Sequence, residues 1–134
     1  MKFKLFILLI ILSSCTTTIS NVNQKKPYIS TGFAYIYNSD DISKQIIKRK
    51  MNNDIMQISH KNLKIGTLIK ISNPKNKETI VLKNIKRIKY PDFYKIMITK
   101  PVAEKLNLNL ELPIVELTEI KKNKSFVAEK AKIY

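Results

Sequence analysis

Glycine, histidine and cysteine are nearly absent from this chain, whose 134 residues include two glycines, one histidine and one cysteine. A phosphate-binding loop needs several glycines at fixed spacing, and a zinc site needs a set of histidine, cysteine or carboxylate ligands. No Ser-His-Asp set is recognisable around the single histidine. The composition therefore excludes these classes of site, and we expect neither a metal ion nor another cofactor.

Disulfide bonds and long apolar stretches are lacking as well. Cys15 is the only cysteine, so an exported domain would depend on its core alone. The longest apolar run, Leu5–Leu12, is far shorter than the roughly 20 residues that span a bilayer. Lysines precede this run, and Leu12-Ser13-Ser14-Cys15 follows it as a lipobox would. We interpret residues 1–15 as a lipoprotein signal with lipidation at Cys15, the alternatives being an ordinary cleaved signal or a short anchor.

Acidic residues are scarce: 10 Asp and Glu stand against 25 Lys and Arg, a net charge of +15. In a cytosolic protein this charge would indicate a nucleic-acid partner, but export excludes that partner. Two interpretations remain open. The charge either attracts anionic polymers of the cell envelope, or it reflects a composition rich in Ile, Lys and Asn and forms a solvated surface.

The remaining chain divides into three parts. Residues 16–29 are polar and predict a flexible tether. Residues 30–120 predict one folded domain, and residues 121–134 form a basic C-terminal tail. Because Thr16 rather than an aspartate follows Cys15, we expect the lipid in the inner leaflet of the outer membrane, with the domain facing the periplasm.

Alternating and β-branched segments predict an all-β domain. Thr67–Ser72 and Thr79–Asn84 flank turn residues that include Pro74. A helical turn starts near Asp40, capped by Asp40 or Asp41, and a short helix follows Thr99 as its N-cap. The other predicted strands are Tyr28–Tyr37, Ile55–Ile58, the start of Ile96–Leu108, and Leu112–Leu117.

Three segments carry a family resemblance: G-F-A-Y-I-Y from residue 32, S-H-K-N-L-K-I-G-T-L-I-K-I-S-N from residue 59, and K-I-M-I-T-K-P-V-A-E-K-L-N-L from residue 95. They resemble the rare lipoprotein A family of septal-ring lytic transglycosylases. Enzymes of this family cleave peptidoglycan and leave 1,6-anhydromuramyl ends. The resemblance implies a six-stranded double-psi β-barrel with one or two short helices.

The resemblance also implies a catalytic pair, of which one member is lost. His60 corresponds to the family's histidine, but Lys86 stands where the family has its catalytic aspartate. Lysine, with a reference pKa of about 10.4, is a poor general acid near neutrality. A positioned acid or base contributes on the order of 10²–10⁴ in rate, so we expect little or no cleavage. The alternative is an active enzyme in which Asp92 folds back towards His60, although Pro91-Asp92 is also a common turn pair.

We expect the family's groove to persist as a binding site. Tyr37 takes the place of the groove's aromatic residue, the alternative being a residue of the barrel wall. His60 either binds the ligand or caps its own loop by hydrogen bonding. The basic members of the site would meet stem-peptide carboxylates, and the aromatic members would pack against sugar faces. The candidate binding residues are Tyr37, His60, Lys86, Arg87, Lys89 and Phe93.

The sequence thus predicts an outer-membrane-anchored lipoprotein that binds peptidoglycan glycan strands, or a protein of the septal ring, with little or no cleavage. Two alternatives stay open. One is an active lytic transglycosylase that uses His60 and Asp92. The other is a structural envelope lipoprotein without a ligand.

Overall fold

The computed structural model describes residues 25–121 of the chain. The predicted signal with Cys15, most of the tether and all but the first residue of the basic tail lie outside the described residues. Within the described part, no helix has the length and apolar character that crossing a membrane requires.

The elements of the described part are β1 (Ile29–Ile36), α1 (Asp40–Ser43), β2 (Ile58–Ser59), β3 (Leu68–Ser72), β4 (Thr79–Lys86), β5 (Ile96–Ile98), α2 (Lys100–Lys105) and β6 (Ile114–Ile120). The six strands close into a barrel in the order β1-β5-β2-β4-β3-β6. Two pairs, β1 with β5 and β2 with β4, are parallel, and the other neighbours are antiparallel. Parallel strands need a long crossover connection, and residues 37–95 and 60–78 provide the two that this barrel requires.

Alternation along the strands separates the barrel interior from the surface. On β3, Ile69 and Ile71 are buried while Lys70 between them is exposed. These β-branched residues pack well in a half-buried strand. The interior core consists of Ala34, Ile58, Ile69, Ile71, Ile96, Ile98, Val102, Ala103, Leu106, Leu108, Val115 and Leu117.

A second, smaller core lies outside the barrel wall. Tyr37 is only 3% exposed and packs there with Ile47 and Met51 from the long connection after α1. Ile88, Tyr90 and Met97 complete the cluster. This cluster fixes the segment that follows β4, because Ile88 and Tyr90 anchor it on both sides of Lys89.

The predicted all-β class, the six-stranded barrel and the two short helices are confirmed. Several boundaries differ. The second strand is Ile58–Ser59 rather than Ile55–Ile58, because Ile55 is exposed while Ser59 pairs with Met97. The closing strand begins at Ile114 rather than Leu112, and it extends to Ile120.

Strand β4 continues to Lys86, two residues beyond the predicted end. The pairing of Lys86 with Ser59 on β2 explains the extension.

Thr99 occupies the N-cap position of α2 as predicted, with Pro101 in the first turn. Its side chain, however, makes no capping hydrogen bond. The Thr99 hydroxyl instead donates to the Ile55 carbonyl at 2.7 Å and accepts the Gln57 N–H at 2.9 Å. The threonine therefore ties the segment before β2 to the start of the helix. At α1 the N-cap is Ser39 rather than Asp40 or Asp41.

Candidate functional site

His60 follows β2 directly, and the side chain of Asn84 on β4 holds its backbone. Asn84 Oδ1 accepts the His60 N–H at 2.8 Å. Asn84 Nδ2 donates to the carbonyls of His60, Leu63 and Lys64 at 3.1, 2.9 and 3.3 Å. Because Asn84 is fully buried, one amide satisfies several polar groups of a loop that would otherwise lack partners.

The His60 imidazole is 1% exposed, and its two nitrogens differ. Nδ1 accepts the N–H groups of Asn62 and Leu63 at 3.2 and 3.1 Å. Since Nδ1 accepts, the proton of the neutral ring is assigned to Nε2. Nε2 is buried and has no hydrogen-bond partner within residues 25–121. An unsatisfied buried donor costs about 1–3 kcal/mol, so this N–H is a group that a ligand oxygen would stabilise.

The surroundings of His60 keep the ring neutral. Burial first, and the charge of Lys61 second, lower the pKa of His60 from 6.5 to about 4, against the opposing effect of Glu119. The ring of Tyr28 meets the imidazole edge-on, with 4.9 Å between ring centroids. Near neutral pH, His60 is therefore a hydrogen-bond donor rather than a cation.

His60 lines a polar cavity of about 260 Å³, which we call the polar cleft. Lys61 crosses this cleft and pairs with Asp92. The hydrogen bond and charge of Lys61 hold the pKa of Asp92 below its ordinary value. The Lys61 ammonium also lies 5.1 Å from the centroid of the Tyr90 ring. The cleft is lined by Tyr28, His60, Lys61, Asn62, Tyr90, Asp92, Tyr94 and Lys95.

Lys95 brings a second cation to the polar cleft. Its backbone is held on both sides, since its N–H donates to the Phe33 carbonyl at 2.9 Å and its own carbonyl accepts the Tyr90 hydroxyl at 3.0 Å. Its aliphatic stem runs across Gly32, where an added Cβ would lie 2.7 Å from Lys95 Cγ. The close neighbour of Gly32 is therefore this lysine side chain.

Glu119 is a carboxylate near the cleft that the sequence analysis did not single out. Its Oε2 accepts the Tyr28 N–H at 2.9 Å, and its Oε1 pairs with Lys121 at 2.9 Å. Burial opposes ionisation, but the Tyr28 N–H and the charge of Lys121 hold the pKa of Glu119 below its ordinary value. Its oxygens are thus engaged away from the imidazole. The pairing of β1 with β6 brings Glu119 next to Tyr28.

A second cavity of about 420 Å³, the aromatic groove, adjoins the polar cleft. Phe33 and Phe93 stack with 5.1 Å between centroids, and Tyr94 meets both Phe93 and Tyr35 edge-on at 5.2 and 5.0 Å. The Tyr35 hydroxyl donates to Asp41. Tyr94 lines both cavities, so they form neighbouring parts of one surface.

Asp92 is the one carboxylate among the described residues that line the polar cleft, so no pair of carboxylates faces His60 there. Asp92 shares the polar cleft with His60, but its side chain is fully exposed and bonds Lys61 rather than the imidazole. Within residues 25–121, no group of His, Cys, Asp and Glu converges as a metal site requires. The polar cleft thus offers His60 and Lys95 as hydrogen-bond donors, while its carboxylate is paired with Lys61.

Comparison with protein-family models and with curated proteins finds no match for this chain.

The three basic residues predicted to line the groove lie elsewhere. Lys86 is on β4, and its ammonium donates to the Lys50 carbonyl at 2.9 Å. Arg87 Nε donates to the Lys61 carbonyl at 3.0 Å, and Lys89 is exposed. None of the three lines either cavity. The cations of the polar cleft are Lys61 and Lys95, which sequence reasoning missed, although Lys61 adjoins His60 in the quoted motif.

The two aromatic candidates have different surroundings. Tyr37 is buried in the second core and offers no free ring face. This agrees with the alternative prediction that Tyr37 is a residue of the barrel wall rather than of the groove. Phe93 is 65% exposed and lines the aromatic groove, together with Phe33, Tyr35 and Tyr94.

Proposed function

We propose that this protein is a lipid-anchored cell-envelope module that binds peptidoglycan glycan strands and cleaves them little or not at all. The observation that carries the proposal is the buried, unpartnered Nε2–H of His60 in a cleft that also presents Lys61 and Lys95. A buried donor of this kind is stabilised by an oxygen acceptor. Sugar hydroxyl, amide and carboxylate oxygens are such acceptors.

The neighbouring aromatic groove supports a glycan as the ligand. Exposed aromatic rings offer large apolar faces, and pyranose rings have an apolar face of similar size. Asn38, Asp41 and Glu111 lie around the rings and offer oxygens for sugar hydroxyls. Because Tyr94 joins the two cavities, a strand of several sugars would contact the rings in one and the cations in the other.

The electrostatics of the cleft argue against cleavage. Glycan cleavage requires an acid for the leaving oxygen and a base or nucleophile, supplied in most sugar hydrolases by two carboxyl groups. His60 has a pKa of about 4 and is neutral at physiological pH. Asp92 is ionised and paired with Lys61. Neither group is therefore set up to protonate a glycosidic oxygen.

The envelope location rests on the N-terminal pattern and on charge. Cleavage before Cys15 and lipidation there would place the domain at the inner leaflet of the outer membrane, within reach of peptidoglycan. Cleavage removes Lys2 and Lys4, so the net charge of +15 falls by 2 to +13, which would still attract the anionic wall. A protein of the septal ring is a further candidate partner of the same surface.

Co-sedimentation with purified sacculi at about 0.15 M salt tests the proposal, because exposed charges are then largely screened. We expect the wild-type protein to sediment and Lys95→Glu to be retained at least severalfold less. Lys89→Glu is the matched control, since it changes the net charge equally but lies outside both cavities. Equal retention of the two variants would indicate non-specific attraction. No sedimentation of the wild type would favour a structural lipoprotein without a ligand.

A further inference from the structure

Three hydrogen-bond donors of the polar cleft are His60, Lys61 and Lys95. The Nε2–H of His60 is unpartnered, and the Lys95 ammonium forms no ion pair within residues 25–121. The third donor, Lys61, is paired with Asp92. A neutral sugar would satisfy the His60 N–H, but it would leave Lys95 without a counter-ion. The set of donors fits an anion with more than one oxygen.

Asp92 shows which kind of anion fits. Its side chain is fully exposed and is tethered to the cleft only through Lys61. An exposed ion pair of this kind is weak and exchanges readily with other partners. Lys61 thus holds the Asp92 carboxylate at the polar cleft. A carboxylate of a ligand would take the same place on Lys61.

We infer that the polar cleft is a carboxylate-binding subsite. Asp92 is paired with Lys61 until a carboxylate of the ligand takes its place. The subsite deepens the proposed glycan binding and rests on it, since it names the charged group that the glycan would present. Muramyl sugars carry such a group on the lactyl ether, and stem peptides carry another at a peptide carboxylate. Carboxylates accept charge-assisted hydrogen bonds from Lys and from N–H donors more strongly than neutral oxygens do.

Gly32 is a specificity-determining position of this subsite. The stem of Lys95 passes so close to Gly32 that a Cβ there would overlap Lys95 Cγ at 2.7 Å. The neighbouring atoms belong to a flexible side chain, so an alanine at this position would displace Lys95 rather than the strand. Its backbone conformation is open to alanine, because Gly32 does not have a positive φ. The absence of a side chain at residue 32 therefore determines where the second cation points.

The test is an NMR titration of the protein with N-acetylmuramic acid and with N-acetylglucosamine, which lacks the lactyl carboxylate. Muramyl dipeptide, whose free carboxylate is on the peptide, distinguishes the two sources. We expect at least one carboxylate probe to bind several times more tightly than N-acetylglucosamine, with the His60 Nε2–H resonance shifting on binding. Equal binding of all three probes would overturn the carboxylate subsite while leaving glycan binding intact. A failure of every probe, together with no sedimentation on sacculi, would overturn both.

The Asp92→Asn variant gives a sharper result than the choice of probes. It distinguishes an Asp92 that competes with the ligand for Lys61 from an Asp92 that acts as a catalytic acid. Removing the competing carboxylate should raise the affinity for the carboxylate probe about two- to fivefold, the range of one exposed ion pair. Asp54→Asn is the control, an exposed acid outside both cavities with the same change in net charge. An unchanged or weaker affinity in Asp92→Asn would contradict the competitor role.

The same titration on Gly32→Ala tests the position of Lys95. Binding of the carboxylate probe should weaken to the level of Lys95→Met, while binding of N-acetylglucosamine stays unchanged. A thermal unfolding curve of each variant establishes that it is folded. Wild-type affinity in a folded Gly32→Ala protein would show that Gly32 does not determine where the cation points.

Discussion

The side-chain amide of Asn84 holds the peptide groups of His60 from both sides. Its Oδ1 accepts the His60 N–H at 2.8 Å, while its Nδ2 donates to the His60 carbonyl at 3.1 Å. The backbone of His60 is thereby fixed to β4, while its Nδ1 accepts the N–H groups of Asn62 and Leu63 and so caps its own loop. The position of the His60 backbone thus depends on a residue 24 positions away in the chain.

Asn84→Ala should therefore destabilise the whole domain. The change leaves the His60 N–H and the carbonyls of His60 and Leu63 without their partner in a buried place. We expect the free energy of unfolding to fall by about 2–4 kcal/mol, measured by urea denaturation. Asn62→Ala is the control, because Asn62 is exposed and should change stability by less than about 0.5 kcal/mol. A loss at Asn84 no larger than that of the control would contradict this role.

The neutral state of His60 predicts a pH dependence of stability. Its pKa is about 4 in the folded protein and near 6.5 when unfolded, so the unfolded chain binds more protons between these values. This contribution to the free energy of unfolding is fully present above pH 6.5 and is lost as the pH falls towards 4. The loss is on the order of 3 kcal/mol at most.

His60→Asn is the matched variant for this measurement. The asparagine Oδ1 keeps an acceptor for the Asn62 and Leu63 N–H groups, but the side chain does not titrate between these pH values. Its unfolding free energy should vary less with pH over that interval than that of the wild type. Identical pH profiles for the two proteins would show that His60 is not the titrating group.

Phe93→Ala should weaken glycan binding with little effect on the fold. Phe93 is 65% exposed and presents its ring in the aromatic groove, stacked on Phe33. We expect retention on sacculi to fall several-fold, as for a truncated aromatic contact, and stability to change by less than about 1 kcal/mol. Ile65→Ala is the control, since Ile65 is 64% exposed but lines neither cavity. Equal retention of both variants would argue against the groove.

Gly66→Ala should destabilise the loop that carries His60 into β3. Gly66 has a φ of +91°, a conformation that side chains rarely adopt, although no atom would obstruct an added Cβ. We expect a loss of about 1 kcal/mol from backbone strain alone, and a smaller loss for Gly66→Asn. Chemical denaturation of the two variants measures the difference. An alanine variant as stable as the wild type would contradict the strain.

Local pattern predicted much of this barrel. It predicted the strands on both sides of the Pro74 turn, and Ile69 and Ile71 of β3 are indeed buried. It also predicted the short helix after Thr99, in which Val102 and Ala103 are buried. These features depend on neighbours within a few residues, which is the range over which periodicity is informative.

Contacts between residues that are distant in the sequence determine which side chains form the site. The local sequence pattern gives no information about such contacts. The parallel pairing of β2 with β4 placed Lys86 opposite Ser59, within a strand rather than in a groove. Tyr37 was buried by Ile47 and Met51, which are ten or more residues away in an irregular connection. The Lys95 stem lies across Gly32 through the pairing of β1 with β5. Each of these contacts is set by tertiary packing.

Incubation of the protein with purified sacculi, followed by mass spectrometry of the soluble fraction, tests most directly whether this cleft binds glycan without cleaving it. The account predicts that the protein remains on the sacculi and releases no 1,6-anhydromuropeptides above background. Release of these products by the wild type, and its loss in Asp92→Asn, would contradict it and would assign catalysis to His60 and Asp92.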